Sequence, residues 1–146
     1  MFEKAIICYL SYSGNTKEVA ELVEKTLLDN KINVDMHRIG SGETPDLSLY
    51  DIIFIGTFTW GKGQTPDEMK DFVLDVGYKP SNIAIFGTGD TQFGGDDLFC
   101  NANNRLSKFY NSEYDTLKIE QSPRGQQEKK VSEWTEGVIS KWKSLN

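Results

Sequence analysis

The feature that most restricts how this chain can fold is an end-to-end alternation of strand-like and helix-like segments. Ala5 to Leu10 and Asp51 to Thr57 are apolar nearly throughout, as central strands buried on both faces must be. Ile32, Val34 and Met36 alternate with polar residues, which predicts a strand at or near a sheet edge. Asn82 to Phe86 and Tyr114 to Glu120 complete five strands. Between them Gly14 to Asn30 carries Val19, Ala20, Val23 and Leu27 on one helical stripe. Thr65-Pro66-Asp67-Glu68 has the form of a helix start, with Thr65 capping, Pro66 in the first turn and Glu68 closing a capping box; that helix runs to about Val76. Further helices are expected from Asp97 to about Tyr110 and over Val131, Trp134, Val138, Trp142 and Leu145, with both tryptophans on the inner face. Strands alternating with helices form a parallel sheet covered on both faces. The expectation is a single domain over residues 1–146: an α/β, three-layer doubly wound sandwich with a five-stranded parallel sheet in the order 2-1-3-4-5.

That topology says where to look for a ligand. In open α/β sheets ligands bind beyond the carboxyl ends of the strands, where the strand order reverses. Here that is the crevice between strands 1 and 3. The loop after strand 1, Ser11-Tyr12-Ser13-Gly14-Asn15-Thr16, leads straight into a helix, whose free N–H groups and dipole suit a phosphate. It is neither a Walker loop nor GxGxxG, and read alone such a turn is more often an ordinary helix cap. The loop after strand 3, Thr57-Phe58-Thr59-Trp60-Gly61-Lys62-Gly63-Gln64, carries a tryptophan among glycines. It is either a platform for a planar ligand or a ring folded back on a neighbouring helix. The loop after strand 4, Thr88-Gly89-Asp90-Thr91-Gln92-Phe93-Gly94-Gly95-Asp96-Asp97, adds a second aromatic, which could instead pack beside Phe99. A phosphate-sized site and two aromatic rings at one sheet edge describe a planar ring system joined to a monophosphate, and FMN is such a molecule.

Composition removes other classes. The formal net charge of −6 argues against nucleic acid, which needs a basic face, and favours basic protein partners. No apolar run approaches the ~18–20 residues needed to cross a bilayer. With no cleavage-site pattern at the start of the chain, the expectation is a cytoplasmic protein without membrane contact. Cys8 and Cys100 have no metal-binding spacing and read as reduced thiols. His37 reads as an ordinary surface residue near the end of strand 2, and Lys129, Lys130, Lys141 and Lys143 as a solvated face of the last helix.

The chain resembles the flavodoxins. Ser11 to Thr16 matches that family's phosphate loop, Ser/Thr-x-Ser/Thr-Gly-x-Thr. Gly56-Thr57-Phe58-Thr59-Trp60-Gly61 is similar to its first flavin loop, and Gly89-Asp90-Thr91-Gln92-Phe93, followed by Phe99-Cys100, to its second. The resemblance spans essentially the whole chain and is to the short-chain branch. Departures are Phe93 where a tyrosine is usual, Lys62 where an acid is common, and a second loop lengthened by Gly94-Gly95-Asp96.

The resemblance implies a one-electron carrier with non-covalent FMN, cycling between semiquinone and hydroquinone. It implies an FMN site made by Ser11, Tyr12, Ser13, Gly14, Asn15, Thr16, Thr57, Phe58, Thr59, Trp60, Gly61, Thr88, Gly89, Asp90, Phe93 and Cys100. The Trp60–Gly61 peptide would turn its carbonyl to flavin N5, and Asp90, Asp96 and Asp97 would disfavour the anionic hydroquinone. No residue is expected to be catalytic and no metal is expected. The protein would work as a monomer between a flavodoxin/ferredoxin reductase and an acceptor enzyme. The alternatives are an activator flavoprotein of class Ib ribonucleotide reductase and an FMN-dependent NAD(P)H or quinone reductase. A phosphorylated receiver domain would need acids after strand 1 and an aspartate ending strand 3, where this chain has Tyr9-Leu10-Ser11 and Gly56-Thr57.

Overall fold

A computed structural model describes residues 3–12, 14–59, 65–89, 101–120 and 123–145, of Asn101 the backbone only. Five strands, β1 (Lys4–Tyr9), β2 (Asn33–Arg38), β3 (Ile52–Phe58), β4 (Ile83–Gly89) and β5 (Leu117–Glu120), form one sheet in the order β2-β1-β3-β4-β5. Every neighbouring pair is parallel, with Cys8 opposite His37 on one side and Ile55 on the other. The expected fold class and strand order are both present.

Among the described residues four α-helices cover the sheet: α1 (Asn15–Asp29), α2 (Asp67–Val76), α3 (Asn101–Tyr110) and α4 (Gln126–Leu145). The two-residue period of the strands sorts the core into two layers. Ala5, Ile7, Ile52, Phe54, Ala84 and Phe86 face α1 and α4, meeting Val19, Val23, Leu27, Val131 and Val138. Ile6, Cys8, Ile53, Ile55, Ile83 and Ile85 face α2 and α3, meeting Met69, Phe72, Leu106 and Tyr110. The central strands are therefore apolar on both faces, while β2 is half-buried at one edge. Trp134 and Trp142 pack against the first layer as expected, and the Trp134 ring stands edge-on to Phe54 and Phe86.

Three local expectations are corrected. β4 runs on to Gly89, three residues beyond Phe86, so Thr88 and Gly89 end the strand before the loop begins. The cap of α2 is Pro66, not Thr65, and among the described residues no side chain caps this helix. Met69 N–H and Lys70 N–H both donate to the Pro66 carbonyl, while the Glu68 carboxylate accepts from the Tyr12 hydroxyl instead of turning back on its own helix. Strand β5 starts at Leu117, three residues later than its apolar pattern suggests. Tyr114 N–H donates to Ser112 Oγ, and the Asp115 carbonyl accepts from the Trp134 indole at 2.7 Å, so side chains serve this backbone in place of a ladder.

Candidate functional site

Strands β1 and β3 are neighbours, yet the chain leaves them toward opposite faces, into α1 and α2. Their carboxyl ends bound the crevice at the strand-order reversal. The turn from β1 into α1 is built for close approach. Gly14 has φ 95°, in the left-handed region that glycine adopts without steric cost. Its N–H donates to Ser11 Oγ at 3.1 Å. The first bond of α1 runs from Glu18 N–H to the Gly14 carbonyl. Among the described residues no side chain caps α1, so its leading N–H groups face the crevice with the positive end of the dipole. A Cβ placed on Gly14 would meet no described atom within 4 Å. That open, donor-lined turn fits a phosphate.

The turn after β1 and the carboxyl ends of β3 and β4 are tied to one another. Thr16 Oγ1 and Thr88 Oγ1 lie 2.9 Å apart, both nearly inaccessible, joining the first turn of α1 to the end of β4. Thr59 N–H donates to the Thr88 carbonyl at 3.2 Å, and Thr59 Oγ1 accepts the Ala102 N–H at the start of α3 at 3.1 Å. The Tyr12 and Phe58 rings meet with centroids 4.8 Å apart, and the Tyr12 hydroxyl donates to Glu68 on α2. That bond to Glu68 raises the Tyr12 pKa above the usual tyrosine value.

The structure thus brings Ser11, Tyr12, Gly14, Asn15, Thr16, Thr57, Phe58, Thr59, Thr88 and Gly89 to one edge of the sheet. Thr57 is fully buried, and its hydroxyl donates to the Phe58 carbonyl. Ser13, Trp60, Gly61, Lys62, Asp90, Phe93, Asp96, Asp97 and Cys100 lie outside the described residues.

Three residues at this edge were not visible in the sequence as site elements. Arg38, at the end of β2, donates to the Ser11 carbonyl at 3.3 Å and braces the first loop. Glu68 holds Tyr12, though its spacing from Thr65 suggests only a cap. Asn103 donates to the Leu117 carbonyl at 2.8 Å, and a Cβ on Gly87 would sit 2.1 Å from its Oδ1. Gly87 thus lets α3 press onto β4 just before Thr88. His37 is half-buried against Phe72, and burial lowers its pKa. Cys8 is fully buried below the crevice, and burial pushes its thiol up to about 12. Among the described residues no cluster could hold a metal ion, and no helix is long and apolar enough to cross a membrane.

Comparison with known proteins agrees with this arrangement. A sequence model of the family described as Flavodoxin matches residues 7–134. The chain is 34% identical over 139 residues to "Probable flavodoxin 2" of Bacillus subtilis (strain 168), spanning 88% of this chain and 89% of that protein. It is 35% identical over 128 residues to "Probable flavodoxin 1" of the same organism, spanning 82% and 79%. Among solved structures, oxidised flavodoxin 2 from Bacillus cereus superposes with a TM-score of 0.82 at 31% identity, covering 94% of this chain and 99% of that one. With the family pattern running through the phosphate turn and the sheet that carries it, the chain belongs to the flavodoxin family.

Proposed function

We propose that this flavodoxin carries electrons one at a time on a single, non-covalently held FMN, using the semiquinone/hydroquinone couple. The observation that carries the reading is the uncapped, glycine-opened N-terminus of α1 at the β1/β3 crevice, tied to the carboxyl ends of β3 and β4 through Tyr12 and Thr16. Bound FMN supplies an isoalloxazine ring that accepts and releases single electrons. The chain's part is to bind that group and set its energies. Ser11, Gly14, Asn15 and Thr16 take the phosphate through backbone N–H groups and hydroxyls. Trp60 and Phe93 are the ring platforms in this reading, with the Trp60–Gly61 peptide presenting an acceptor carbonyl to flavin N5. Asp90 and the net charge of −6 oppose further negative charge on the ring.

Flavodoxins are electron-transfer proteins and not catalytic enzymes, so partners supply donor and acceptor. An acidic chain suits basic partner faces, a reductase on one side and an acceptor enzyme on the other. The test is two measurements on the purified protein. Mass spectrometry of the extracted cofactor should return FMN, and FAD or no flavin would end the reading. Stepwise anaerobic reduction should then pass through a blue neutral semiquinone in high yield; direct two-electron bleaching would point to a reductase instead.

A further inference from the structure

We infer that Thr88 is a positioning residue for the phosphate end of the cofactor, acting through the hydroxyl of Thr16 without touching the ligand itself. The inference rests on the proposal that the α1 N-terminus takes the FMN phosphate. Two hydroxyls 2.9 Å apart share one hydrogen bond but own two protons. Thr16 is 1% and Thr88 3% exposed, so the bond between them is shielded from bulk solvent. Among the described residues neither hydroxyl has another partner, which leaves one proton of the pair without an acceptor. A buried donor of that kind is costly unless a ligand supplies the acceptor.

Position decides which proton it is. Thr16 lies in the first turn of α1, beside the free N–H groups, whereas Thr88 lies at the end of β4 under the turn. When Thr88 donates to Thr16 Oγ1, the Thr16 proton is left to point along the helix N-terminus, toward a phosphate oxygen. Thr88 is itself held by its backbone, since its carbonyl accepts the Thr59 N–H at 3.2 Å. The pair therefore couples the end of β4 to the phosphate end of the site.

The experiment titrates flavin-free protein with FMN and with riboflavin, which has the same ring and no phosphate. Thr88→Val should weaken FMN roughly five- to ten-fold more than it weakens riboflavin, the scale of one oriented hydrogen bond. Thr88→Ser should restore FMN affinity. In a Thr16→Val background Thr88→Val should cost nothing further, because its effect passes through Thr16. The phosphorus resonance of bound FMN should shift in Thr88→Val and return in Thr88→Ser. Equal losses for FMN and riboflavin, no loss at all, or additive losses in the double variant would overturn the positioning role. Wild-type protein that binds FMN no better than riboflavin would overturn the phosphate site itself, a distinct result.

Discussion

At the scale of single residues, the site is shaped by side chains that hold other side chains. Tyr12 is 54% exposed, yet it is engaged by the Phe58 ring on one side and Glu68 on the other. It clasps the loop after β1 to the strand end that opens the next loop. Tyr12→Phe keeps the ring contact and loses the bond to Glu68, while Tyr12→Ala loses both. In flavin titrations Tyr12→Ala should weaken FMN binding by roughly two- to ten-fold more than Tyr12→Phe, the range of one aromatic pair. Equal losses in the two variants would assign the clasp to Glu68 alone.

At the scale of elements, helix ends carry most of the specific chemistry. The C-terminus of α1 closes in a Schellman arrangement, with Ile32 N–H on the Leu27 carbonyl and Lys31 N–H on the Leu28 carbonyl. The left-handed position of that motif is held by Lys31, with φ 61°, where glycine is usual. A side chain there costs about 1–2 kcal/mol, against about 0.5–1 for the extra freedom glycine loses. Lys31→Gly should therefore stabilise the fold by roughly 0.5–1 kcal/mol, read as a higher urea midpoint with unchanged slope. The other end of the same helix is left open, and that opening is what serves the phosphate. The start of α2 shows a different use of a helix end: a carboxylate that would have capped its own helix is spent on Tyr12.

At the scale of the whole molecule, the buried layer under α2 and α3, which holds both Cys8 and Tyr110, sets how the fold responds to alkali. Burial raises the Cys8 thiol from 9.0 to about 12 and the Tyr110 hydroxyl from 10.0 to about 12. Above pH ~9 the unfolded chain gives up protons that the folded chain keeps, so unfolding becomes easier as pH rises. The stability these groups contribute is complete below their unfolded values and is lost between pH ~9 and ~12, at up to about 1.4 kcal/mol per pH unit for each group. Urea denaturation across that range should show the decline, and Cys8→Ala should flatten its first part, between pH ~9 and ~10. A wild-type curve level to pH ~11 would mean that burial raises neither group.

Much of this architecture was legible without coordinates. Continuous apolar runs such as Ala5 to Leu10 specify buried strands, and the half-polar pattern of Ile32, Val34 and Met36 specifies an edge. Their succession with helices implies a doubly wound parallel sheet and suits the order 2-1-3-4-5, with its crevice between β1 and β3. These are local properties, written in periods of a few residues, so the chain itself determines them. What only the tertiary structure decided is which polar groups find each other there. Thr16 meets Thr88 across 72 residues of chain, and Tyr12 meets Glu68 across 56. Neither pairing follows from spacing, since a hydroxyl or carboxylate carries no periodic signal of its partner. The first depends on how α1 sits against the end of β4 and the second on how α2 sits beside the turn after β1, and those distances exist only once the layers have closed.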